Sequence, residues 1–195
     1  MNLFLLNFFA NSYIYRNCSQ ITRSNIHAIY TFLISTLYLN RNLIQENYLN
    51  LIWYSFFYSI FDINYLLKNK TKGYQSLVIH HGLIIYVISY IKFFCNPSNE
   101  LTNLMALNYL TEISTPFFNR SFQLMLLKQQ TTNEYKVINT LLVLIFGTSR
   151  VLIIPYLLNN SLNLGYNIVF CQSLLSSMNV IWFYKICKYY KKIMV

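Results

Sequence analysis

The chain is short of charge. Of its 195 residues only 10% are Asp, Glu, Lys or Arg, where a soluble domain carries roughly 25%, and that shortfall excludes an ordinary soluble surface. Acid is the scarcer sign: five Asp and Glu stand against fifteen Lys and Arg, a formal net charge of +10. In a soluble protein such an excess would suggest phosphate neutralisation and a nucleic-acid partner. Here the basic residues fall in the connections between apolar runs, so nucleic acid is not an expected partner. The four cysteines, Cys18, Cys95, Cys171 and Cys187, lack any CxxC pair or Cys/His ligand spacing and read as small apolar fillers. The opening MNLFLLNFFANSYIYR has no basic region ahead of its apolar run and no small-residue cleavage site. It reads as an uncleaved, short first helix rather than a signal peptide. No internal repeat is visible, and low complexity is confined to Asn-rich connections.

What the chain does have is apolar length. It is 55% hydrophobic with a mean hydropathy of +0.37, and several runs approach the roughly 20 residues that cross a bilayer. Apolar runs and breaker clusters predict helices near residues 1–15, 24–39, 48–67, 74–95, 100–127, 136–158 and 165–187. The breakers are Gly73, NPSN at 96–99, TTNE at 131–134 and NNSLNLG at 159–165. Runs this long are helices, since a bilayer admits only helices or closed barrels. The expected fold is all-α: a polytopic membrane bundle of six helices preceded by a short N-terminal helix. The abundance of Asn, Ile, Lys and Tyr points to an AT-rich coding genome.

Positive charge alternates between the connections. Arg16 and Arg23, then Lys68, Lys70 and Lys72, then Lys128 and Lys136, and finally Lys185, Lys188, Lys191 and Lys192 share one side. The other side holds Arg41 offset by Glu46, Lys92 near Glu100, and an uncharged 159–165 connection. Because cytoplasmic loops retain positive charge during insertion, this asymmetry places the C-terminus in the cytosol. With seven spans the N-terminus lies opposite, and a miscounted helix would scramble the pattern.

An ionisable side chain at the bilayer centre costs at least roughly 2.5 to 3.5 kcal/mol, so each one asks for a partner or a task. The candidates are His27, Asp62, His80, His81, Glu112 and Arg150, with Asn119, Asn179 and Trp182 as uncharged company. Counting about 1.5 Å per residue from the cytosolic ends puts His27 and Asp62 roughly 6 to 8 Å deep. The same count puts His80, His81, Asn119 and Asn179 roughly 9 to 12 Å deep, and Glu112 and Arg150 near 21 Å. That predicts two polar layers, the deeper one a Glu112–Arg150 ion pair.

Adjacent helical residues point about 100° apart, so only one of His80 and His81 can face a central cavity while the other meets a neighbouring helix. The pair reads either as interhelical hydrogen-bonding groups or as a general base oriented by Asp62. Their spacing is not the i, i+4 of two metal ligands on one face, and no metal is expected. Pro116 should kink helix five and free backbone groups that Ser114, Thr115 or a ligand must satisfy, as a plain bend or as a cavity wall. Asn179 and Trp182 read as packing and as an interfacial anchor.

Six stretches, in order, carry a resemblance: SNIHAIY (24–30), YSIFDINYLL (58–67), the histidine pair at 80 and 81, EISTPFFNR (112–120), SRVLIIPYLL (149–158) and MNVIWFYKICK (178–188). Together they resemble the TLC-domain family, named for the translocating-chain-associating, longevity-assurance and neuronal ceroid lipofuscinosis proteins. The resemblance implies a TLC domain over residues 24–188, after an N-terminal helix and connection (1–23) and before a basic cytosolic tail (189–195). It also implies an endomembrane protein, with the endoplasmic reticulum expected, or a host membrane if the gene is viral. Six helices would surround a lipid-accepting cavity, with His27, Glu112, Pro116, Asn119, Arg150, Asn179 and Trp182 among its lining.

The family includes ceramide synthases, whose paired histidines and downstream acids are associated with acyl transfer from acyl-coenzyme A to a sphingoid amine. His80 and His81 match that pair. The following acidic cluster is absent, since LNYLTEISTPFFN contains Glu112 alone, and the chain looks closer to the non-synthase branch linked to lipid composition and trafficking. Three functions therefore stand: a lipid-binding protein of membrane lipid homeostasis, an N-acyltransferase using His80, His81 and Asp62, or a non-catalytic structural or trafficking protein. No cofactor is expected, acyl-coenzyme A entering only as a substrate of the second. Membrane lipid is the expected partner, and a homo-oligomer is left open.

Overall fold

A computed structural model describes residues 3–70, 74–93 and 98–194. Lys72, Gly73, Cys95 and residues 96–97 of the NPSN breaker lie outside the described residues. The fold is all-α, with no strand among the described residues. Its helices are α1 (Leu3–Asn17), α2 (Gln20–Leu39), α3 (Gln45–Leu51), α4 (Trp53–Asn69), α5 (Tyr74–Phe93), α6 (Asn99–Leu110), α7 (Thr115–Leu126), α8 (Asn133–Phe146), α9 (Ile154–Ser161) and α10 (Tyr166–Met194). Several join end to end. Helices α3 and α4 meet at Ile52, α6 and α7 through a 3₁₀ turn at Thr111–Ser114, and α8 and α9 through a π-helical stretch at Gly147–Leu152. Among the described residues the result is seven rods, at the seven positions that the apolar runs predict.

Side-chain caps start the rods. The Ser19 hydroxyl accepts from the Thr22 N–H, Ser98 from Leu101 and Thr132 from Tyr135, each at 3.2 Å, satisfying donors that the first turn leaves free. Their ends reflect a shortage of glycine, of which the chain has four. Arg41, Lys70 and Lys128 take the left-handed conformation, with φ of 59°, 44° and 57°, that glycine adopts without steric cost. After α7 the Lys128 N–H reaches Met125 O and the Gln129 N–H reaches Leu124 O, closing the last turn.

Six rods form a closed ring in the order α2, α3/α4, α5, α10, α8/α9, α6/α7 and back to α2. Helix α1 lies outside against α4. It is held there by ring contacts of Phe4 with Trp53 and Phe57 at 5.0 and 4.9 Å and by the buried Asn11, whose amide donates to Tyr54 O at 3.2 Å. The apolar core packs Tyr48, Ile52, Ile88, Ile91, Leu104 and Leu157 between the rods. Large apolar side chains such as Leu33, Ile79, Leu144, Leu152 and Phe170 point outward. Two rods, Tyr74–Phe93 and 133–164, are long and apolar enough to cross a membrane, and only 17% and 22% of their most apolar windows are buried inside the protein.

Candidate functional site

The polar residues meet inside the ring of rods. The 3₁₀ turn ahead of Pro116 builds one wall. Pro116 sits in the first turn of α7, where its missing N–H costs nothing, but its ring blocks an ordinary α-turn just before it. The chain tightens instead, and Thr111 and Ser114 return their hydroxyls to Asn108 O and Thr111 O at 2.6 and 3.1 Å. The opposite wall is the π-helical stretch carrying Arg150, which ends just before Pro155. Such bulges turn one residue out of the regular helical register. Here they bring Arg150 and Glu112 together at 3.1 Å, both buried.

Every nitrogen of the guanidinium is engaged. Nε donates to Ser114 Oγ at 2.8 Å, Nη2 to Thr115 Oγ1 at 3.0 Å and to Glu112, and Nη1 reaches Asn179 Oδ1 at 3.5 Å. The Thr115 hydroxyl donates in turn to Glu112 Oε2 at 2.6 Å. Ser114 thus does two tasks, satisfying the Thr111 carbonyl ahead of Pro116 as expected and holding the arginine, while Thr115 holds the arginine and Glu112.

The two histidines part company. His81 turns to α4, where its Nε2 lies 3.1 Å from Asp62 Oδ2 with both side chains buried. The carboxylate accepts from Nε2–H and so fixes the ring's tautomer. His80 turns inward and lines a cavity with Glu112, Arg150 and Asn179. Ring contacts link them across the bundle: His27 stacks on Tyr58 at 4.0 Å, Tyr58 meets His81 edge-on at 5.5 Å, His81 meets His80 at 5.3 Å, and His80 meets Trp182 at 5.6 Å.

The cavity has one polar end and a long apolar wall. Beyond His80, Glu112, Arg150 and Asn179 it is walled by aliphatic side chains of α5, α6 and α10, among them Ile84, Leu101, Met105 and Ile168. From Glu112 to Leu101 and from Asn179 to Ile168 is roughly 16 Å of helix, yet the volume is only about 80 Å³. It is an elongated slot, narrower than a lipid-accepting cavity would suggest. Part-way along, Asn108 and Gln172 bridge α6 and α10, the Asn108 amide donating at 2.8 Å. Among the described residues, no three His, Cys, Asp or Glu side chains converge as metal ligands.

The remaining candidates lie beside the cavity. His27 shares a hydrogen bond with Ser55 Oγ at 3.0 Å, Asn119 donates to Asn25 at 2.7 Å, Trp182 backs His80, and Pro116 shapes the wall without lining it. The two expected depth layers are one belt, since Arg150 reaches Asn179 and Glu112 shares a cavity with His80. Residue counting places only the backbone, and the long Arg150 side chain closes much of the distance between the counted depths. Ser55, Tyr58, Asn108 and Gln172 were not anticipated. The rule that selected Asn179, a polar side chain within an apolar run, also marks Asn108 and Gln172, whereas nothing local marks Ser55.

A family model described as the TLC domain matches residues 8–188. The chain belongs to the TLC-domain family. That family is one of membrane-associated, lipid-related proteins. Neither the curated proteins nor the solved structures contain a match to the chain. The match to this TLC domain begins inside α1, the helix packed on α4, and its end at residue 188 falls within the basic last turns of α10.

Proposed function

We propose that this TLC-domain protein spans an endomembrane several times, with its basic end in the cytosol, and binds a lipid in the cavity as part of membrane lipid homeostasis. One observation carries the reading: a buried Glu112–Arg150 pair, held by Ser114, Thr115 and Asn179, at one end of a slot walled mainly by apolar side chains and crossed by the Asn108–Gln172 bridge. Apolar pockets with a few convergent polar groups are the usual form of a ligand site. The pair suits a polar headgroup and the slot an alkyl chain. At about 80 Å³ the slot is smaller than the roughly 300 Å³ of a small ligand site, so a chain enters only as the helices around it part.

A second reading, acyl transfer from acyl-coenzyme A, has the Asp62–His81 pair in its favour, a carboxylate-oriented imidazole next to the cavity histidine. As arranged, the oriented ring is not the one that lines the cavity, and a general base must reach the proton that it removes. Binding without turnover is therefore preferred.

The test purifies wild type and the His80→Ala/His81→Ala variant in detergent. Copurifying lipid is identified by mass spectrometry, and labelled acyl-coenzyme A is offered with sphingoid and glycerolipid acceptors. Bound lipid in wild type, lost from the folded variant without turnover in either, supports the binding protein. Turnover that vanishes in the variant moves the protein to the acyltransferases. A preparation with neither sinks both readings.

A further inference from the structure

The basic end of the bundle holds a second concavity, remote from the first. Where the connection between α7 and α8 meets the last turns of α10, a cleft of about 400 Å³ is lined by Gln130, Thr131, Lys136, Tyr189, Lys192 and Ile193. It offers two ammonium groups, two hydroxyls and the amide of Gln130, which also donates to Met125 O at 3.2 Å, and among the described residues no carboxylate lines it. The acid nearest in sequence, Glu134, is engaged by Arg120 at 2.8 Å and does not compete for the lysines. Lys185, Lys188 and Lys191 precede Lys192 along the same end of α10, and Lys128 lies in the connection between α7 and α8, so this end of the chain is rich in positive charge. A cluster of four or more lysines at the water-facing end of a membrane helix attracts anionic headgroups. The concavity adds what a bare tail lacks, a recess lined by two point charges together with neutral donors. The ring of Tyr189 and the side chain of Ile193 give it an apolar shoulder.

From this we infer that the cleft binds the phosphate of an anionic phospholipid headgroup, with Lys136 and Lys192 as its charged ligands. The inference rests on the membrane placement above, because only then does the cleft sit at the headgroup level. It is independent of what fills the inner cavity.

The experiment incorporates the full chain into nanodiscs of phosphatidylcholine alone, or with phosphatidylserine or a phosphorylated phosphatidylinositol, and counts retained lipid by native mass spectrometry. Lys136→Gln/Lys192→Gln is compared with Lys68→Gln/Lys70→Gln, which removes equal charge away from the cleft. Retention of anionic lipid that falls about thirtyfold in the cleft variant and is unchanged in the control upholds the site. Equal loss in both variants, or no preference over phosphatidylcholine, overturns it. Displacement by inorganic phosphate or soluble inositol phosphate as effective as by lipid also overturns it, the site then being one for free anions. Alkaline extraction of the same membranes reads insertion separately. An extracted chain that keeps lysine-dependent headgroup binding would sink the spanning reading alone, whereas an inserted chain without headgroup preference would sink the cleft alone.

Discussion

Arg150 is held by side chains from α7, α10 and the turn between α6 and α7. Removing one partner of a buried ion pair leaves the other charge uncompensated, at a cost of about 3 to 5 kcal/mol. Arg150→Met and Glu112→Leu alone should therefore lower thermal stability in detergent sharply. The double variant should recover most of that loss while losing copurified lipid, and a double-mutant cycle by thermal unfolding separates the two effects. The histidines should divide in the same way. His81→Ala strands the buried Asp62 and should cost roughly 1 to 3 kcal/mol or more. His80→Ala should leave stability nearly intact and change the bound lipid. If both substitutions act alike on both measurements, the division of roles between the two rings is wrong.

At the scale of elements, the site depends on two departures from regular helix, each tied to a proline a few residues downstream. The π stretch before Pro155 packs closely on α10, where a Cβ built on Gly147 would meet the Phe183 ring at 3.1 Å. Gly147→Leu should force the stretch away from α10, displace Arg150 and weaken lipid retention. Gly82→Ala, with open space around its Cβ, should do neither, and lipid copurification from the two variants checks the contrast. Helix ends give an opposite sign of prediction. Lys128 holds a left-handed turn at a cost of about 1 kcal/mol that glycine avoids. Lys128→Gly should raise stability by about that amount, read as an upward shift of the unfolding temperature.

For the whole molecule, the alternation of charge and the outward apolar faces make a topological prediction. Single cysteines placed at Lys70, Lys128 and Lys188 in a background without native cysteines should react with a membrane-impermeant thiol reagent from the cytosolic side. A cysteine at Asn160 should react from the other side only. Labelling of all four from one side would remove the spanning arrangement, and with it the membrane level assigned to the lysine cleft.

The number of rods, their all-α character and the existence of an ion pair between Glu112 and Arg150 were determined by the sequence alone. Long apolar runs leave no other satisfied backbone, and opposite charges within them need each other. Membership of the TLC-domain family was legible for a related reason, since its short motifs sit at fixed places along those runs. Which histidine faces the cavity was not legible, because it depends on how α5 is rotated against α4, and rotation is set by packing across the whole ring. The merging of two expected layers into one belt, the use of Ser114 and Thr115 as arginine ligands, and the narrowness of the slot likewise came only from tertiary structure. They depend on the tight turn before Pro116 and the bulge before Pro155 meeting across the bundle, and no local pattern encodes that meeting.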